Sequence, residues 1–277
     1  MTIIEQRLES LRKLRSLELQ RRELDQAKLL ANLYSSRYRV LAREQQLPPE
    51  GDWRIWLLET GRGFGKTFSG AGWIVENALS NPDTDWAVIA PTYTDVRRIC
   101  VEGPSGILKM VRKEELDNYN RSTGLITLIN NSKIYMLTGE KPDRTRGFNL
   151  SGAWCDEFSS WQYQEEMWNE VLVPALRIGR GKTVITTTPY GSKTLREFKA
   201  RTDGSVVVTR GSIDDNAANL SPEALADMHA RLDGTRTGRR DGGSWSWRPA
   251  RPRKLAMPRC DHQRAPSTSW RDRALSS

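Results

Sequence analysis

The strongest constraint on this chain is a glycine-rich bend set between a strand pattern and a helix pattern. Residues 60–67 read Thr-Gly-Arg-Gly-Phe-Gly-Lys-Thr, directly after the apolar run Trp53-Arg-Ile-Trp-Leu-Leu58, and a helix is predicted to follow from Lys66 to Ala78. A strand that turns through glycines into a helix aims several backbone N–H groups at one point, and the helix N-terminus adds its positive end there. Such a point takes a nucleoside triphosphate. Gly61, Gly63 and Gly65 supply the turn, with Arg62 and Phe64 between them. Lys66 would reach the β- and γ-phosphates, and the Thr67 hydroxyl would take one position on Mg2+. The match to G-x-x-x-x-G-K-[ST] lacks its first glycine, where Thr60 stands, so Gly61 is expected to assume that turn role. Arg62 adds a second cation beside the phosphates. The plain alternative, a tight turn with no ligand, is opposed by the strand before it and the helix after it.

Composition narrows the classes. The chain of 277 residues is long enough for one large α/β domain or two small ones. It has no apolar run long enough to span a bilayer and no signal-like N-terminus, so a soluble, intracellular protein is expected. Cys100, Cys155 and Cys260 show no paired-ligand spacing, which argues against a disulfide framework or a zinc site, and two of them are expected in the core. With two histidines, His229 and His262, the chain argues against a histidine-based apparatus, and His229 reads as a helix-surface residue. The net charge of +9 is unevenly spread: +3 over residues 1–50, −2 over 51–233 and +8 over 234–277. The body is near neutral, so bulk charge does not show that it grips DNA.

Residues 3 to about 45 carry apolar side chains at helical spacing, predicting a long amphipathic helix or helix pair that stops at Leu47-Pro48-Pro49. A helix packed on its own domain and a partner-binding arm both stay open. From Asp52 on, β-branched or aromatic runs alternate with helical patterns, the signature of a parallel sheet with crossover helices. The strand candidates are Trp53–Leu58, Trp86–Ala90, Gly152–Asp156, Thr183–Thr187 and Val206–Thr209, with a β-hairpin over 125–137 centred on Asn130-Asn131. Ser221-Pro222-Glu223 starts a last helix. Residues 235–277, rich in Arg, Ser, Trp and Pro without apolar periodicity, are expected to be a disordered basic tail, with a nucleic-acid-binding tail as the alternative. The expected domains are therefore a helical arm (1–47), an α/β body (50–234) and the tail.

About ninety residues beyond the glycine loop, Leu150-Ser-Gly-Ala-Trp-Cys-Asp156-Glu157 reads as a short buried strand ending in two acids. Asp156 would hold Mg2+, and Glu157 would orient and deprotonate an attacking water. Ordinary surface acids at a turn are the alternative, weakened because open α/β sheets bind ligands at the carboxyl ends of their strands. The next strand ends in Thr186-Thr187-Thr188-Pro189, whose hydroxyls could sense the γ-phosphate; alone that signal is weak. Trp53 or Arg54 could line the base pocket.

Together these segments resemble the large terminase subunit of tailed bacteriophages and gene transfer agents. The resemblance spans about residues 50–240 and rests on the loop with its arginine, Ala90-Pro91-Thr92 with Asp95-Val-Arg-Arg98, Glu102-Gly-Pro-Ser-Gly-Ile107, Arg144-Thr-Arg-Gly147, Trp154-Cys-Asp-Glu157 and Thr186-Thr-Thr-Pro189. It implies an α/β P-loop NTPase of the ASCE/RecA-like kind, with ATP and Mg2+ as cofactors and a role in driving double-stranded DNA into a procapsid. Gly61 to Thr67 match the family's Walker A segment, Asp156 and Glu157 its Walker B acids, and Thr186, Thr187 and Thr188 its coupling motif. Arg146 lies where the family carries an arginine that reaches a neighbouring subunit's nucleotide, with Arg144 the competing candidate. Portal protein, a small terminase subunit and a homo-oligomeric ring are the implied partners, no membrane is implied, and the implied location is the host bacterial cytoplasm. The family's nuclease domain, with its metal-binding aspartates, has no counterpart in the tail, which suggests a truncated terminase whose tail is read in a shifted frame. Translating the other frames of the coding DNA tests that idea. A helicase or RecA-like ATPase and a non-catalytic remnant that binds portal or DNA are the competing functional readings.

Overall fold

The computed structural model describes residues 9, 13–18, 20–22, 37–177, 181–189 and 191–232. The tail expected at 235–277 lies outside the described residues, as does most of the N-terminal arm; within that arm, 13–18 and 20–22 are helical.

Helix α1 (Arg37–Leu41) is followed by strand β1 (Ile55–Thr60), helix α2 (Lys66–Ser80) and β2 (Asp85–Ala90). Three strands, β3 (Leu116–Asn120), β4 (Leu125–Leu128) and β5 (Lys133–Thr138), precede β6 (Gly152–Asp156) and β7 (Lys182–Thr187). Helix α3 (Lys193–Ala200), β8 (Val206–Gly211) and α4 (Pro222–Leu232) complete the body. Among the described residues, eight strands form one sheet in the order β3-β4-β5-β2-β6-β7-β1-β8. Pairing is parallel throughout except where β4 joins β3 and β5.

Both faces of the centre are covered, which is why its strands are buried almost from end to end. On one face Trp56, Leu58, Val184 and Trp154 pack with Trp73, Ile74 and Ala78 of α2. On the other, Ile55, Leu57, Ile185 and Cys155 pack with Leu195 and Phe198 of α3. Gly70 lets α2 approach closely, because a Cβ there would sit 2.1 Å from the Trp154 indole. Cys100 and Cys155 are core residues, and Asn131 takes φ of 65° at the hairpin tip.

Three readings of the sequence need revision. The amphipathic pattern does not continue as helix to residue 45: α1 ends at Leu41 and a 3-10 turn covers Glu44–Gln46. The reason is tertiary, since Tyr38 is buried against the Phe68 ring of α2 and the chain then folds back toward the glycine loop. Strand β3 has no mark in the sequence, because its Leu-Asp-Asn-Tyr-Asn is polar at its exposed positions and becomes extended by pairing with β4. Trp53 and Arg54 do not approach the loop. They lie at the opposite end of β1, where Trp53 stacks between Trp56 and Trp73 and Arg54 donates to the Gly181 carbonyl.

Candidate active site

Three strand ends build the site. β7 lies between β1 and β6, with Glu59 level with Thr187 and Asp156 level with Thr186. The glycine loop after β1, the acids ending β6 and the threonines ending β7 therefore open on the same edge of the sheet. Phe64 is fully buried and anchors the loop's middle, while Gly63 and Gly65 take φ of 76° and 100°, which side chains with a Cβ rarely adopt.

Lys66 is 8 % exposed, and its Nζ donates to the Thr60 and Gly61 carbonyls at 3.1 Å each. The same Nζ lies 3.9 Å from Glu157 Oε1. Lysine and acid thus face one another across the cleft mouth.

Thr186 Oγ1 donates to Asp156 Oδ1 at 2.6 Å, and Cys100 Sγ contacts Asp156 Oδ2 at 3.5 Å. Burial lifts the Asp156 carboxyl to about 6; the Glu157 charge adds to the rise, while the Thr186 hydrogen bond and the Lys66 charge oppose it. Cys100 is delivered by a π-helical turn, Val96–Val101, and its thiol is pushed up by burial and by Asp156. Glu157 takes φ 44° and ψ 45°, left-handed backbone that a glutamate adopts only where its surroundings hold it there. The Thr188 N–H and Oγ1 both donate to its carboxylate at 3.3 Å. The threonines alternate in direction: Thr186 holds one acid, Thr188 the other, and Thr187 bonds Ser159 Oγ at 2.7 Å.

The loop's amides can face a ligand only if its carbonyls face away, and those carbonyls need donors. Asn216 Nδ2 donates to the Gly63 carbonyl at 2.6 Å, Gln46 Nε2 to the Phe64 carbonyl at 3.2 Å, and the Arg43 guanidinium also to the Phe64 carbonyl while lying 4.7 Å from the Phe64 ring centroid. None of these residues carries a local signal, because they reach the loop from 18 to 153 positions away along the chain.

A cleft of about 730 Å³ is lined by the polar Lys66, Thr67, Arg62 and Glu157 together with the apolar Leu41, Phe68, Ile99 and Pro104. Its volume and mixed lining suit a nucleotide. Among the described residues no group of three or more His, Cys, Asp or Glu side chains could hold a metal alone. Thr67 lines the cleft and Asp156 ends β6, so these two would be the residues to hold a magnesium ion of the kind that takes one or two protein ligands and completes its shell with phosphates and water. Arg146 is elsewhere: exposed, within 3.1 Å of Asp143, 3.6 Å of Glu166 and 3.3 Å of Glu170. On α4, His229 Nε2 sits 2.8 Å from Asp214.

A mostly parallel sheet with a strand inserted between the glycine-loop strand and the acid strand, both opening on a lysine–carboxylate cleft, defines a P-loop ATPase fold. The family model described as terminase large subunit, T4likevirus-type, N-terminal, matches residues 57–222, and the chain belongs to that family. The ATPase domain of the Thermus phage P74-26 large terminase is similar at a TM-score of 0.57 and 16 % identity, over 71 % of this chain and 93 % of that one. A large terminase from a thermophilic bacteriophage, in complex with ADP, matches at a TM-score of 0.59 and 15 % identity over 76 % of this chain and 51 % of its own. The bacteriophage HK97 large terminase matches at 0.55 and 14 % identity, over 68 % and 46 %. At these identities the likeness is one of fold, and the chain spans about half the length of the last two proteins. Comparison with curated protein sequences gave no match. Among the described residues no helix is long and apolar enough to cross a membrane.

Proposed function

We propose that this chain hydrolyses ATP as the motor part of a large terminase that drives double-stranded DNA into a procapsid, in the cytoplasm of a bacterial host. The observation that carries the reading is the approach of the loop lysine to the acid that follows β6: Lys66 Nζ lies 3.9 Å from Glu157 Oε1 and both line one cleft, with Asp156 immediately before Glu157 at the end of the strand.

The Gly61 N–H is taken by the Gly211 carbonyl, so the amides of Arg62 to Gly65 are the ones offered to the phosphates, and Lys66 and Arg62 add cationic charge beside them. Thr67 and Asp156 would hold magnesium, which when bound would supply charge neutralisation for the phosphates. Glu157, held by the two Thr188 donors, orients the attacking water and takes its proton. Because Thr186 and Thr188 each hold one of the two acids, a change at the γ-phosphate position is passed directly into β7. Arg146, held on the surface by carboxylates of its own chain, is offered to the nucleotide of the next copy in a ring. Portal protein and a small terminase subunit are the further partners of this reading.

The test is ATPase activity of the purified full chain with and without portal and double-stranded DNA. Glu157→Gln should lower kcat by about 10²–10⁴-fold, the range that loss of a positioned proton acceptor produces, and Lys66→Ala, which removes a cation beside the phosphates, should also abolish most of the turnover. Turnover that survives both variants would refute the assignment, and turnover stimulated by DNA but indifferent to portal would favour a helicase-like enzyme.

A further inference from the structure

One buried charge is not used by the mechanism above. Glu59 is 5 % exposed and stands on β1 immediately before Thr60, whose carbonyl, with that of Gly61, receives Lys66 Nζ. A carboxylate this deep is costly unless cations meet it. Lys199 Nζ of α3 approaches Glu59 Oε1 to 2.7 Å, and Arg210 Nε of β8 lies 3.7 Å from Glu59 Oε2.

The register explains where this pair acts. Glu59, Thr187 and Arg210 are level on adjacent parallel strands and so share a face. That face also carries Ile55 and Leu57, against which Leu195 and Phe198 of α3 pack. Helix α3 follows the threonine strand after a short connection, with the Ser192 hydroxyl accepting from the Leu195 N–H at its start. The ion pair thus joins the helix that continues from the threonines to the strand that feeds the glycine loop, on the side of the sheet opposite α2.

We propose that Glu59 and Lys199 are positioning residues for hydrolysis: their pair fixes the carboxyl end of β1 against α3 and thereby holds Lys66 in register with Asp156 and Glu157. This rests on the ATPase reading. Neither Glu59 nor Lys199 lines the cleft, so the loss of their pair should fall on kcat and spare KM.

The experiment compares steady-state ATPase and thermal midpoint in the full chain for Glu59→Gln, Lys199→Met, Lys199→Arg and the double variant Glu59→Gln/Lys199→Met. Each single neutral variant should lose about tenfold or more in kcat with KM within about threefold, the pattern of an interaction needed beyond ground-state binding. Lys199→Arg should keep most of the turnover. The double variant, free of any uncompensated buried charge, should regain thermal stability without regaining kcat. A double variant with wild-type kcat, or KM rising in step as kcat falls, would overturn the proposal and leave the pair a packing device. An inactive wild-type chain would instead sink the ATPase reading itself, so the two failures look different.

Discussion

Strands β1 and β6 are buried along their whole length, whereas in the antiparallel flank β4 alternates between half-buried and buried positions and β3 has only half-buried and exposed ones. The contrast follows from what lies above each face. Helices cover both sides at the centre, so a polar side chain there must be met by protein or by a ligand; in the flank, water meets it. Glu59, Asp156 and Thr186 are 5 %, 4 % and 0 % exposed, and each has a charged or hydroxyl partner. Asn118 and Ser122, exposed in the flank, imply nothing comparable. Polar residues carry functional information here in proportion to the cost of burying them.

Several substitutions would break or sharpen this contrast. Trp154→Ala at the centre removes a fully buried indole that packs on Gly70 and donates to Thr186 Oγ1 at 2.8 Å. It should cost about 3–5 kcal/mol, the usual range for losing a buried large aromatic, read as a lowered denaturant midpoint. A loss as small as that of a surface substitution would mean the centre is not packed as described.

Asp156→Asn should act in the opposite sense in the nucleotide-free chain. Burial raises the Asp156 carboxyl to about 6 from 3.8, so the folded state binds its proton more tightly than the unfolded chain does. The stability this group contributes is present in full below about pH 4 and is lost as pH rises through about 6. The asparagine variant should therefore melt above the parent at about pH 8, with the gap closing toward about pH 4. Equal gaps at both ends of that range would show that the carboxylate is not penalised by its burial.

The smallest effect belongs to the flank. Ile129→Thr, at a residue 66 % exposed in the β4–β5 turn, should change stability by no more than about 0.5 kcal/mol and leave ATP turnover unaltered. A loss of turnover there would mean the flank is coupled to the cleft.

Legibility divides along the same line. The central strands fall within two residues of their sequence-predicted bounds, as their apolar runs admit no other placement, and the Asn130-Asn131 hairpin follows from turn chemistry. β3 escapes because a strand whose side chains face water has no compositional mark. Trp53 misleads because an aromatic beside a strand signals burial without saying against what; it is part of an aromatic stack with Trp56 and Trp73. The loop, its lysine and the acid doublet are each visible as local patterns. Arg43, Gln46 and Asn216 are not, since no neighbour in the chain hints that a distant carbonyl will need a donor.

From its residues alone the chain settles which segments turn, extend or coil, and which of them can hold an anion or a proton, because glycine freedom, apolar runs and side-chain acidity are local properties. The tertiary structure alone decides that β7 enters between β1 and β6, that Thr186 and Thr188 take one acid each, and that Lys199 meets Glu59. Those choices come from fitting two covered faces of one sheet at once, and periodicity along a single strand does not encode which strand will lie beside it.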